Sequence, residues 1–172
     1  VSIAMAVNGS ITWGQLPFYI IGEMVGGFIG ASLLTLMYHD HLAATPENDV
    51  KRGCYCTAPS IRNLPLNFLS EFIDTFVLVF AICGIGQTVA GESGLNYVFV
   101  FGIITAIGMS FGGVTGYAMN AARDLSPRLA FALFCPGDNK DADWGYAWIP
   151  VVAPICGAIV AVLVYGALPF PA

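Results

Sequence analysis

Residues 112–134 read GGVTGYAMNAARDLSPRLAFALF, and the fold turns on what this stretch can form. Gly112, Gly113 and Gly116 break regular structure in its first half. Asn120 is a good helix N-cap, followed by Ala121, Ala122, Arg123 and Asp124. Asp124 falls in the first turn, where the helix dipole favours a negative charge. A helix over 121–134 would be roughly 20 Å long at about 1.5 Å per residue. That is too short for a bilayer core of about 30 Å. Yet apolar segments long enough to span lie on both sides of it. A loop and a short helix between two spans predict a re-entrant element. Such backbone is tolerated at membrane depth only where protein buries it or where it lines a wet cavity.

The surrounding composition agrees. Of 172 residues, 57% are hydrophobic and 10% charged, against about 25% charged in a soluble domain. Mean hydropathy is +0.76. These values predict an all-α integral membrane protein and exclude a soluble one. Six Lys and Arg with no basic face exclude nucleic acid as a partner. Val1 opens inside apolar sequence, with no charged leader and cleavage site, so the start is not a signal peptide and reads as a cut.

No residue pattern calls for a metal or a cofactor. The five cysteines form no metal motif. A disulfide between Cys54 and Cys56 would close a small strained ring, which favours two free thiols. His39-x-His41 lacks a third nearby ligand and reads as part of a solvated loop rather than a metal site. Neither histidine lies in a span and no nucleophile–base pair is placed, so the chain is not read as an enzyme.

Taken in order, 1–7 is a short apolar piece ended by Asn8-Gly9. The first span is 16–38, with Glu23 its one charge. Gly22, Gly26 and Gly30 lie four apart, a double GxxxG that predicts close helix approach in lipid. Glu23 is either a proton site or, by preference, a structural carboxylate bonded to loop backbone. Residues 39–66 form a long polar connection holding Pro65. The second span is 67–87, with Glu71 and Asp74 near its start and near the interface. After a turn at 88–94, the third span is 95–111, where Gly102, Gly108 and Gly112 mark close packing or pore-facing positions. The polar loop 135–145 follows the re-entrant stretch. Trp144, Tyr146 and Trp148 form an interface cluster, and 146–168 is the fourth span, with Pro154 inside it.

GYAMNAARDLSPRL resembles the second signature loop of the aquaporin superfamily, whose pattern is Asn-Pro-Ala-Arg. Asp124 after Arg123, and Pro127 three residues on, resemble the glycerol-facilitator branch. Ala121 stands where Pro is usual. Residues 1–5, VSIAM, resemble the half helix after the first Asn-Pro-Ala. On this resemblance the whole chain is one channel domain, 1–172, truncated at its N-terminus. It would hold four transmembrane helices, the tail of one half helix and a complete re-entrant half helix, and lack two spans and the first motif.

The resemblance implies a tetramer in the cell membrane, with one pore per protomer. Arg123 would be the constriction arginine and Tyr117 its aromatic partner. The carbonyls of Gly116, Tyr117 and Ala118 would form a ladder of acceptors. Asn120, Ala121 and Ala122 would start the half helix, and Glu71 would brace the loop, with Glu23 and Asp124 in supporting roles. Gly108, where water-specific members carry His, would widen the constriction. Ala121 loses the preset φ of Pro at the first helical turn but remains a good helix former. Read from the residues alone, Arg123 could instead pair with Asp124 or Glu71, Tyr117 could be ordinary packing, and Glu71 a partly wet interfacial acid.

Two helix N-termini at the midplane would offer positive partial charge and free N–H groups to a hydroxyl solute, opposing cations and protons. The function implied is a passive channel for glycerol and other small neutral polyols, with water. A water-selective channel, a non-conducting membrane protein of the same fold and an ion-coupled transporter using Glu23 or Glu71 are the rivals. Lys and Arg placement would put the long loop in the cytoplasm; the resemblance puts it outside and is preferred.

Overall fold

The computed structural model describes residues 1–138 and 140–169, and every regular element among them is helical. Among the described residues, three helices are long and apolar enough to cross a membrane: α2 (Leu16–Met37), α5 (Leu64–Gly86) and α10 (Ile149–Ala167). Around them lie α1 (Ser2–Val7), α3 (His39–Ala44), α4 (Asn48–Gly53), α6 (Val89–Glu92), α7 (Asn96–Ser110), α8 (Gly112–Thr115) and α9 (Ala121–Phe134). The all-α membrane architecture expected from the sequence is the one observed.

Two helix pairs carry the packing. In the first, α5 crosses α10 at Gly157, where an added Cβ would run into the Phe72 carbonyl. Ala4 of α1 is buried in the same cluster as Val79, Ala158, Ala161 and Val162. In the second, α2 crosses α9 at Gly27. A Cβ there would collide with the Ser126 hydroxyl and lie 3.2 Å from the Ala122 carbonyl. Glycine at each crossing removes the side chain that would hold the backbones apart.

Several boundaries and faces differ from the sequence reading. Helix α5 begins at Leu64 because Asn63 caps it, accepting from the Leu66 N–H, and Asn67 returns a bond to the Asn63 N–H. Pro65 sits in the first turn, where its missing N–H costs no intrahelical bond. Gly22, Gly26 and Gly30 have nothing within 4 Å of an added Cβ, so the described contact of α2 is made by Gly27 instead. The third span is shorter than expected: α7 has 15 residues, roughly 22 Å at the helical rise. The chain then makes the separate turn α8 rather than an open loop.

The long connection is not simply solvated. It folds into α3 and α4 and buries Lys51 and Arg52. Lys51 donates to the Pro136 carbonyl (3.3 Å) and Arg52 to the Asp141 carbonyl (3.2 Å). Glu71 and Asp74 are buried among the helices. Tyr146 is buried beneath the Arg62 guanidinium, while Trp144 and Trp148 stay half exposed. All five cysteines are free thiols. His39 lies 3.1 Å from Asp40, and His41 meets the Tyr38 ring edge-on.

Candidate functional site

The connection from α7 to α9 carries most of the candidate residues. Helix α8 ends at Gly116 with φ +85°, and Tyr117 and Met119 follow with φ of +41° and +49°. Left-handed backbone at a bulky residue costs about 1–3 kcal/mol and persists only where its surroundings hold it. Glu71 does the holding. Its two carboxylate oxygens accept from the Ala118 N–H (2.9 Å) and the Met119 N–H (3.0 Å). Both Glu71 oxygens are thus bonded to the loop backbone, and the side chain is buried rather than partly wet.

This backbone leaves a row of acceptors. The carbonyls of Gly116, Tyr117 and Ala118 accept no hydrogen bond among the described residues. Beside them, the Tyr117 ring lies back against α7. A Cβ at Gly108 would meet its Cζ at 3.1 Å, and one at Gly112 its Cδ1 at 2.7 Å. The space left by Gly108 is thus filled by Tyr117, rather than being an open gap. Two glycines one turn apart let the ring retreat.

Helix α9 then starts at Asn120, whose backbone is extended (φ −157°). Its Oδ1 accepts from the Ala122 N–H (2.7 Å) and the Arg123 N–H (3.3 Å). The side-chain amide N–H groups of Asn120 stay uncommitted among the described residues, as does the Ala121 N–H. A proline at 121 would have no N–H to offer. Asn120, Ala121 and Ala122 line a cavity of about 150 Å³, shared with Ser2 at the start of α1 and with Glu23 of α2. The N-terminal end of α9 opens on this space, where its dipole and free donors favour an electronegative solute atom. Glu23 accepts from the Ser2 hydroxyl (2.6 Å) and not from loop backbone, which corrects the expected partner.

Arg123 is exposed, one turn into α9, on a second cavity of about 330 Å³ that it shares with Gly116, Thr57 and Arg52. Its guanidinium has no acidic partner among the described residues. The pairing with Asp124 or Glu71 is not made, because both carboxylates are taken. Asp124 is fully buried and accepts from the Thr57 N–H (2.8 Å), the Thr57 hydroxyl (2.6 Å) and Arg128 Nε (2.8 Å). It thus joins the first turn of α9 to the long loop at Thr57.

The sequence places Arg128 in the functional element without giving it a role, and it does not single out Thr57. Arg128 carried a signal, since Asp124 and Arg128 are four apart on one helix face. Thr57, a loop threonine, carried none.

The sequence matches the family described as Major intrinsic protein over residues 1–165. It is 40% identical over 165 residues to the probable glycerol uptake facilitator protein of Thermotoga maritima, covering 96% of this chain and 70% of that one. It is 44% identical over 166 residues to the glycerol uptake facilitator protein of Bacillus subtilis, covering 96% and 60%. The fold is similar to that of the aquaglyceroporin from Plasmodium falciparum, with a TM-score of 0.81 at 29% identity, covering 97% of this chain and 69% of that one. The chain thus spans 60% to 70% of the length of these relatives.

Proposed function

This chain belongs to the major intrinsic protein family, and we propose that it forms part of a passive membrane channel for glycerol and other small neutral polyols, with water. Relatives named glycerol uptake facilitators support that solute class. The observation that carries the reading is the Tyr117 ring drawn back against Gly108 and Gly112. It offers an apolar face to the CH groups of a polyol. The uncommitted carbonyls of 116–118, the Asn120 amide and the Arg123 guanidinium take the hydroxyls.

A solute hydroxyl donates to a carbonyl of Gly116, Tyr117 or Ala118 and accepts from Arg123 at the mouth. Deeper in, it accepts from the Asn120 amide and the α9 amide ends. Arg123 and the positive helix ends oppose cations and protons. No bond is made or broken, so the family role is transport rather than enzymology. Residues 1–172 act as one channel domain, in a multi-pass protein of the cell membrane that assembles as a homotetramer with a pore in each protomer.

Stopped-flow light scattering on the intact protein in liposomes tests this. Glycerol used as osmolyte should enter quickly, and sucrose should not. Glycerol excluded as fully as sucrose, alongside fast water flux, would sink the reading in favour of a water channel.

A further inference from the structure

We infer that Thr57 and Arg128 are positioning residues for the pore mouth, so that the long loop helps set solute size discrimination. The inference rests on the channel reading above.

Thr57 is the point at which the long loop meets both halves of the re-entrant element. Its N–H and hydroxyl donate to Asp124 Oδ2 at 2.8 and 2.6 Å, and its carbonyl accepts from Arg128 Nη2 at 2.8 Å. Its Cβ and methyl lie 3.1 Å from where a Cβ at Gly116 would stand. Every polar group of Thr57 is committed, and the residue is 5% exposed. Thr57 and Ala58 face the same cavity as Gly116 and Arg123. They are therefore a wall of the mouth, and that wall is tied to the turn that carries the arginine.

Arg128 completes the tie. It is fully buried and uses its whole fork. Nε and Nη2 go to Asp124, Nη2 also to the Thr57 carbonyl, and Nη1 to the carbonyls of Ala142 (2.6 Å) and Asp143 (3.3 Å). One side chain joins the half helix, the long loop and the loop after α9. A lysine keeps the charge but not this planar, several-way geometry. Arg123 has no guanidinium partner among the described residues, so its place depends on the first turn of α9. Asp124, the next residue, fixes that turn to the loop. A loosened tie lets the wall move away from Arg123, and a larger polyol gains more from that than glycerol does.

The test uses the intact protein in liposomes, with glycerol and the four-carbon polyol erythritol as osmolytes. Thr57→Val keeps the side-chain size and removes the hydroxyl bond to Asp124. The glycerol-to-erythritol permeability ratio should fall about fivefold, less than the roughly tenfold or more of a whole charge-assisted hydrogen bond, because the Thr57 N–H still donates to Asp124. Thr57→Ser keeps both donors and should stay within about twofold of wild type. Arg128→Lys should lower the ratio as Thr57→Val does. An unchanged ratio in Thr57→Val and Arg128→Lys, in a wild-type background that conducts glycerol, overturns this inference alone. So does a loss that scales glycerol, erythritol and water flux by one common factor, which is only a loss of folded channels. A wild-type protein that excludes glycerol sinks the channel reading, and this inference with it.

Discussion

Replacing Glu71 by Gln changes the chemistry of the brace while keeping its shape. In the native loop both carboxylate oxygens accept from backbone N–H groups, at 2.9 Å from Ala118 and 3.0 Å from Met119. Glu71 is 0% exposed, so water cannot substitute. Each hydrogen bond to a charged group contributes about 1.5–3 kcal/mol. Glutamine retains one neutral acceptor and turns its NH2 toward the other N–H, leaving that donor unpaired. The combined loss is roughly 3–5 kcal/mol. It falls where Tyr117 and Met119 hold left-handed backbone that tends to relax. The melting temperature in detergent should drop by roughly 6–20 °C, at 2–4 °C per kcal/mol for a chain of this size. Glycerol flux per folded channel should fall about tenfold or more, because the carbonyl row shifts. Melting within about 1 °C of wild type, with full glycerol flux, would refute the bracing argument.

Gly108→His places a Cβ 3.1 Å from the Tyr117 ring and drives the ring toward the mouth. Stopped-flow scattering should show glycerol flux falling about tenfold and water flux by less, as for one ring-sized obstruction; equal losses would count against the retreat of Tyr117. Arg123→Val should raise proton leak in dye-loaded liposomes several-fold while glycerol still passes, since the mouth loses its fixed positive charge; an unchanged leak would remove Arg123 from the barrier. Burial pushes the Cys56 thiol up to about 12, against the partial relief given by Arg128. Its thiolate is therefore scarce until the pH approaches that value. Maleimide at pH 8, read by mass spectrometry, should modify the exposed Cys54 and spare Cys56; early labelling of Cys56 would contradict its buried setting.

The re-entrant element was legible because its signals are local. Asn120 caps within three residues of itself, the glycines precede it, and apolar runs flank it. Glu71 was placed only by resemblance, since its partners lie 47 and 48 residues away. The helix crossings were only partly legible, for a different reason. A repeat of glycine every four residues fixes a face, but not which neighbour that face meets. Gly27, one residue out of the Gly22, Gly26 and Gly30 repeat, makes the described contact. Lys51 and Arg52 lie in a connection that reads as polar, where charge normally keeps a loop wet. Loop 135–145 supplies carbonyls that let them be buried, and nothing within 39–66 announces those acceptors.

The order in which the chain is synthesised bears on Arg128, a fully buried cation. Its carboxylate partner lies four residues earlier and its Thr57 acceptor 71 earlier. Only the Ala142 and Asp143 carbonyls, 14 and 15 residues later, remain to be made. Domains form from the N-terminal side during synthesis at about 5–20 residues per second. The half helix therefore emerges when its counter-charge is already in place, and its last acceptors follow within about a few seconds at that speed. Arg128 never has to enter the bilayer as a lone charge, which is the step that would otherwise oppose insertion of this segment.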